Sequence, residues 1–138
     1  MGRIIGIDYG LKRIGLAVTD PLRMIATGLD TIDHSKIFDF LKNYIAKEQV
    51  DEIVVGLPLD LKGNATDATP LTEKFIEKLK ITFPDINIFS IDERYTSKMA
   101  VQTLVSAGIG KEKRRNKSLL DKVSATIILQ SYLQKYDS

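Results

Sequence analysis

The chain has 138 residues, 43% of them hydrophobic and 28% charged, with 20 basic side chains against 18 acidic ones. This is a globular composition rather than a disordered one, long enough for a single domain (residues 1–138) with a real core, and nearly neutral, so any electrostatic message lies in distribution. The lack of cysteine excludes disulfides and thiolate metal sites, and no apolar stretch approaches the ~20 residues of a membrane span.

Met1-Gly2-Arg3 leads straight into a strand without a signal-peptide core, so a cytoplasmic protein away from membranes is the expectation. An apolar run from Ile4 ends on Asp8, turns through Tyr9-Gly10-Leu11-Lys12-Arg13, and resumes at Ile14: a β-hairpin. Ile4, Ile5 and Ile7 leave neither face polar, which places the first strand centrally, covered on both sides. Met24 to Ile32 is a weaker strand. Ser35 offers an N-cap to a helix with Ile37, Phe38, Leu41, Tyr44 and Ile45 at helical spacing.

Glu52 to Leu57 reads as a short buried strand stopped by Pro58, followed by a polar loop from Leu59 to Thr69. Thr69-Pro70 reads as N-cap and first residue of a second helix, with Leu71, Phe75, Ile76 and Leu79 facing inward. Pro84 closes it, and Asn87 to Ile91 is a fifth strand, ending at Asp92-Glu93. Thr96 or Ser97 caps a third helix that stops near Gly108. A basic linker covers Lys111 to Lys117, and Ser118 caps a last helix from Leu119 to about Tyr136.

Three strands followed by helix–strand–helix–strand–helix–helix predict an α/β fold, a mixed sheet with helices on its faces. Right-handed crossovers put the fourth strand beside the first and the fifth beyond it. Sites in such sheets form outside the carboxyl ends of strands where the order switches. Asp8 ends the first strand there, Gly56-Leu57-Pro58 ends the fourth, and Glu93 follows the fifth.

A carboxylate ending a buried strand needs a cation, a proton or several donors, so Asp8 is the first candidate. Asp121 has two readings. It lies three residues after Ser118, where it completes a capping box, yet Ala125 and Ile128 at i+4 and i+7 turn it toward the sheet. Asp92 and Glu93 read on periodicity as a polar strand exit beside Arg94, and Asp20 and Asp60 as turn residues. If Asp8, Glu93 and Asp121 converge, two like charges ~4 Å apart repel by about 4 kcal/mol at an effective dielectric near 20, so the cluster must bind protons or a cation. Oxygen ligands alone, with His34 expected at the surface and far from the strand ends, favour Mg²⁺ or Mn²⁺ over Zn²⁺. Divalent ions held by carboxylates activate water and stabilise the leaving oxygen in phosphodiester hydrolysis.

Lys111-Glu112-Lys113-Arg114-Arg115-Asn116-Lys117 precedes the helix of Asp121, and Lys12 and Arg13 lie in the first turn. Basic residues on both sides of an acidic metal site suit a polyphosphate backbone drawn over bound metal.

With these residues in place the chain resembles the YqgF family, also called RuvX. The resemblance covers nearly all 138 residues. It rests on Gly6-Ile7-Asp8-Tyr9-Gly10 with Lys12-Arg13-Ile14-Gly15, on Val55-Gly56-Leu57-Pro58, on Asp92-Glu93-Arg94-Tyr95-Thr96-Ser97, and on Asp121. It implies an RNase H-like fold: a five-stranded mixed sheet in order 3-2-1-4-5 with its first three strands antiparallel. It also implies a metal-dependent nuclease that processes the 5′ end of precursor small-subunit ribosomal RNA. Asp8, Glu93 and Asp121 would be its catalytic carboxylates and metal ligands. Lys12, Arg13, Arg94, Lys111, Lys113, Arg114, Arg115 and Lys117 would hold nucleic acid. The wider RNase H-like pattern carries its second carboxylate at the end of the fourth strand, where this chain has Gly56-Leu57, so Glu93, or less readily Asp60, must substitute.

Three other readings are open. One is a Holliday-junction resolvase-like DNA nuclease, which would need paired active sites in a homodimer. Another is a non-catalytic RNA-binding factor of ribosome assembly. The third is a nucleotide-binding phosphotransferase, since an Asp-x-Gly hairpin resembles that of sugar kinases, which repeat the fold as two lobes.

Overall fold

The computed structural model describes residues 2–58, 62–92 and 117–136. In chain order these form β1 (Arg3–Asp8), β2 (Arg13–Thr19), β3 (Ala26–Asp33), a single 3-10 turn (His34–Lys36), α1 (Ile37–Lys47), β4 (Val50–Leu57), α2 (Thr69–Thr82), β5 (Asn87–Asp92) and α3 (Lys117–Tyr136). The strands make one sheet in order β3-β2-β1-β4-β5, antiparallel across β3, β2 and β1 and parallel across β1, β4 and β5. This is the expected order. The third helix expected between Thr96 and Gly108 and the Lys111–Lys117 linker fall outside the described residues, apart from Lys117 in the first turn of α3.

β1 is central because its side chains are apolar on both faces. Ile5 and Ile7 join Ile14, Leu16, Ile53 and Val55 under α1 and α2, where Ile37, Leu41, Phe75, Ile76 and Leu79 close the layer. Ile4 points the other way, with Ala17 and Val54, into a smaller core under Ala125, Ile128, Leu129 and Tyr132 of α3. Ile7, Ile14, Leu16 and Ile53 are wholly buried, and truncating any of them to Ala costs about 2–5 kcal/mol.

Three local expectations are corrected. The cap before α1 is Asp33, whose carboxylate accepts from the backbone N–H and hydroxyl of Ser35; Ser35 itself is drawn into the 3-10 turn. Leu71 is 38% exposed, and Thr72 takes the inward position, its hydroxyl satisfied by the Ala68 carbonyl. Thr69 is not the N-cap of α2. It sits inside the first turn, buried, and its hydroxyl donates to the carbonyl of Pro58, tying the end of β4 to the helix.

At the amino edge of the sheet the charges are used to close the fold. Arg23, in the β2–β3 connection with φ of 60°, donates from Nε to the Gly2 carbonyl at 3.0 Å and pairs with Asp51 at 3.0 Å and Glu52 at 3.7 Å. Asp51 also accepts from the Gly2 backbone N–H at 2.7 Å, while Arg3 pairs with Glu48 and donates to the Thr19 carbonyl.

Candidate functional site

Asp8 is the last residue of β1, and its Cα partner across the antiparallel pair is Gly15. Directly opposed residues of an antiparallel pair point to the same face. At Gly15 that face belongs to α3: a Cβ added there would run into the carbonyl oxygen of Asp121 and come within 3.0 Å of the Asp121 Cβ. One to two turns further along α3, a Cβ on Gly6 would meet the Ala125 carbonyl at 3.0 Å and the Leu129 Cβ at 2.9 Å. Two missing methyl groups therefore let α3 lie directly on the sheet and bring Asp121 down over the strand pair that carries Asp8. The sheet-facing expectation for Asp121 holds, with Ala125 and Ile128 buried below it.

The capping reading of Asp121 does not hold. α3 begins at Lys117, so Ser118 lies within it and Asp121 falls beyond the first turn, which contains no acidic residue. The Asp121 carboxylate instead receives the Arg13 guanidinium, Nε to Oδ2 at 3.1 Å, in a half-buried pair. Lys12, one residue earlier, is exposed, as is Leu11.

β3 runs one residue further than expected and pairs Asp33 with Arg13. This places His34, expected far from the strand ends, at the same edge as Asp8. Its backbone N–H donates to the Lys12 carbonyl at 2.9 Å, and its Nε2 lies 2.8 Å from the Tyr9 hydroxyl. Burial pushes the Tyr9 phenol up, so it stays protonated and shares a hydrogen bond with the imidazole. Tyr9 stacks on Phe75, 4.5 Å between centroids, on the α1–α2 face. The pair braces the β1–β2 turn from the side away from Asp121. Asp33 is committed to its cap: the Ser35 N–H, then the Ser35 hydroxyl, hold its carboxyl below the ordinary range.

Asp8 and Asp121 thus share one face at the carboxyl edge of the sheet. They offer only oxygen donors, half-buried, beside a basic turn, and this set fits a hard divalent cation. Among the described residues there is no group of three His, Cys, Asp or Glu placed to hold a metal. Glu93, Asp60, Arg94, Lys111, Lys113, Arg114 and Arg115 lie outside the described residues. Asp92 ends β5, opposite Leu57 of β4, at this same edge. What sequence reasoning missed is the role of Gly6 and Gly15. Both read as hairpin residues, and only their pairing under α3 shows them to be its seat.

Residues 2–135 match the family model RuvX, described as Holliday junction resolvase. A protein of Amoebophilus asiaticus is 54% identical over 136 residues, covering 99% of this chain and 96% of its own length. One of Porphyromonas gingivalis is 50% identical over 137 residues, covering 99% of each. Both are described as “Putative pre-16S rRNA nuclease”. Two solved structures share the fold: T. thermophilus RuvC in complex with Holliday junction substrate (TM-score 0.58, 13% identity, 98% of this chain and 96% of that one), and the Fowlpox virus resolvase with substrate Holliday junction DNA (TM-score 0.58, 15% identity, 96% and 97%).

Proposed function

Because this chain belongs to the RuvX family, we propose that it is a divalent-metal-dependent endonuclease acting on structured RNA. Its task is 5′-end maturation of precursor 16S ribosomal RNA, free or in a pre-ribosomal particle, in the cytoplasm. The observation that supports this reading is the placement of Asp8 opposite Gly15 and of Asp121 over Gly15, on one face beside a basic turn. The names of the relatives supply the substrate.

Asp8 and Asp121 would hold Mg²⁺ or Mn²⁺, with Glu93 as the third ligand. Alternation along β5 argues against Asp92: Ile91 packs into the α3 core, so Asp92 points to the other face. When bound, the metal supplies Lewis-acid activation of water and neutralises charge developing on the phosphate. Lys12, Arg13, Arg94 and the basic run of Lys111, Lys113, Arg114, Arg115 and Lys117 hold the backbone, and α3 and the β1–β2 hairpin fix the angle between the two carboxylates. Residues 1–138 act as one unit. No helix among the described residues is long and apolar enough to cross a membrane.

The test is cleavage of a 5′-extended precursor ribosomal RNA and of a four-way DNA junction, with Mg²⁺ or Mn²⁺, by wild type, Asp8→Asn and Asp121→Asn. RNA cleavage should fall about a hundredfold or more in both variants, since even the outer-shell partners of metal ligands cost ten- to a hundredfold. Junction cleavage without RNA cleavage would move the substrate to DNA. RNA binding without cleavage of either would make the chain an assembly factor.

A further inference from the structure

Arg13 is the cation paired with Asp121, and it faces inward. Its Nε sits 3.1 Å from Asp121 Oδ2, while its backbone lies at the start of β2, across the turn from Asp8. A guanidinium on a carboxylate proposed to ligate a metal competes with that metal for the same oxygen. Resting on the reading above, we propose that Arg13 is a placeholder. It holds Asp121 in position while no divalent ion is bound, and it is released toward the substrate phosphate when one arrives.

Three features support this. The side chains of Arg13 and Asp121 are 37% and 26% exposed, and an ion pair this accessible is weak enough for a doubly charged ion to displace. Arg13 is anchored at a strand residue paired with Asp33, so only its side chain has to move. The guanidinium also presents a planar fork that suits a phosphate as well as a carboxylate. Exchanging one for the other costs no buried, unpaired charge.

The consequence is reciprocal coupling. Metal frees Arg13 for phosphate, and phosphate that captures Arg13 vacates Asp121 for metal. Arg13 is here a positioning residue for Asp121 as well as a phosphate contact.

Two measurements test this without turnover. The first is Mn²⁺ binding by calorimetry, in the absence of RNA, to wild type, Arg13→Gln, Lys12→Gln and Asp121→Asn. Removing the competitor should tighten Mn²⁺ binding about two- to fivefold in Arg13→Gln. Lys12→Gln, which removes the same charge one residue away, should change it less. Asp121→Asn should weaken it about tenfold or more. Unchanged or weaker binding in Arg13→Gln, with Asp121→Asn still impaired, overturns the placeholder and leaves the metal site standing. Wild-type affinity in Asp121→Asn overturns the metal site itself.

The second measurement needs no variant of Arg13. The Arg13 Nε–H resonance of the wild-type protein should move as Mg²⁺ is added and stay still in Asp121→Asn. A resonance unmoved by saturating Mg²⁺ in wild type overturns the proposal.

Discussion

The two edges of the sheet use the same residue types for opposite ends. At the amino edge, Arg3 and Arg23 are spread over Glu48, Asp51 and Glu52 and over the backbone carbonyls of Gly2 and Thr19. Each charge there ties one strand end to another, and the hydroxyl of Tyr132 on α3 reaches Glu52 as well. At the carboxyl edge, the described partner of Asp121 is the Arg13 guanidinium, and Lys12 stays exposed. Where charges are cross-linked through the backbone they fix the fold. Where a pair meets side chain to side chain, as Arg13 and Asp121 do, it can be exchanged for a ligand. The difference between structural and functional charge lies in the number of anchors, not in the kind of residue.

The sharpest way to break this contrast is to lift α3 off the carboxyl edge. Gly15→Val should cost about 3 kcal/mol, at the upper end of overpacking, because the new side chain meets the Asp121 backbone; urea unfolding reads it, and nuclease activity should disappear in the folded fraction. Gly28→Ala is its control. A Cβ there meets the Lys122 Cβ at 3.5 Å and the Thr126 hydroxyl at 3.6 Å, both ordinary contacts, so stability should stay within about 0.5 kcal/mol.

At the amino edge, Arg23→Ala should remove about 1–2 kcal/mol and leave turnover per folded molecule unchanged. Since Arg23 has φ of 60°, Arg23→Gly should recover about 1 kcal/mol of that loss by relieving the left-handed backbone. Lost turnover in Arg23→Ala at full folding would erase the distinction between the edges.

A smaller effect concerns acid. The Gly2 backbone N–H, with the Gln49 side chain and Arg23 adding to it, holds the Asp51 carboxyl below its ordinary value of 3.8 against the opposing effect of burial. The stability this brings is complete above that pH and drains away as pH falls below it. Melting of Asp51→Asn should therefore depend less on pH below about 4 than that of wild type. Apart from the Gly28→Ala control, a modest change is expected for Tyr9→Phe, which loses one hydrogen bond to His34 and about 0.5–1.5 kcal/mol, visible as a small fall in thermal midpoint.

Much of this was legible because apolar periodicity speaks clearly where both faces are covered. Ile4, Ile5 and Ile7 marked β1 as central, the crossover rule ordered β4 and β5, and Ala125 with Ile128 turned Asp121 to the sheet. Polar residues in half-covered places were harder to read. β3 is an edge strand with Thr27 and Asp30 exposed, so its pattern was too weak to show that it reaches Asp33, and His34 was misplaced with it. Thr72 hides within the buried stripe of α2 because its hydroxyl is satisfied one turn back, which shifted the inward face onto Leu71. Gly15 carried no separate signal, since a glycine after a turn looks like part of it. Its meaning depends on a helix more than a hundred positions away.

That distance has a consequence for timing. Asp8 ends the first described strand, but Asp121 sits on the last described helix, which docks only after the strands it lies on have been synthesised. At about 5–20 residues per second, the stretch between them takes on the order of ten seconds to make, and for that time Asp8 lacks the second carboxylate proposed to work beside it. A prematurely terminated product would never acquire it. For an enzyme proposed to cut ribosomal RNA, this order of assembly is a built-in safeguard: the machine that makes it does not meet the proposed site until α3 has been made and has docked on β1 and β2.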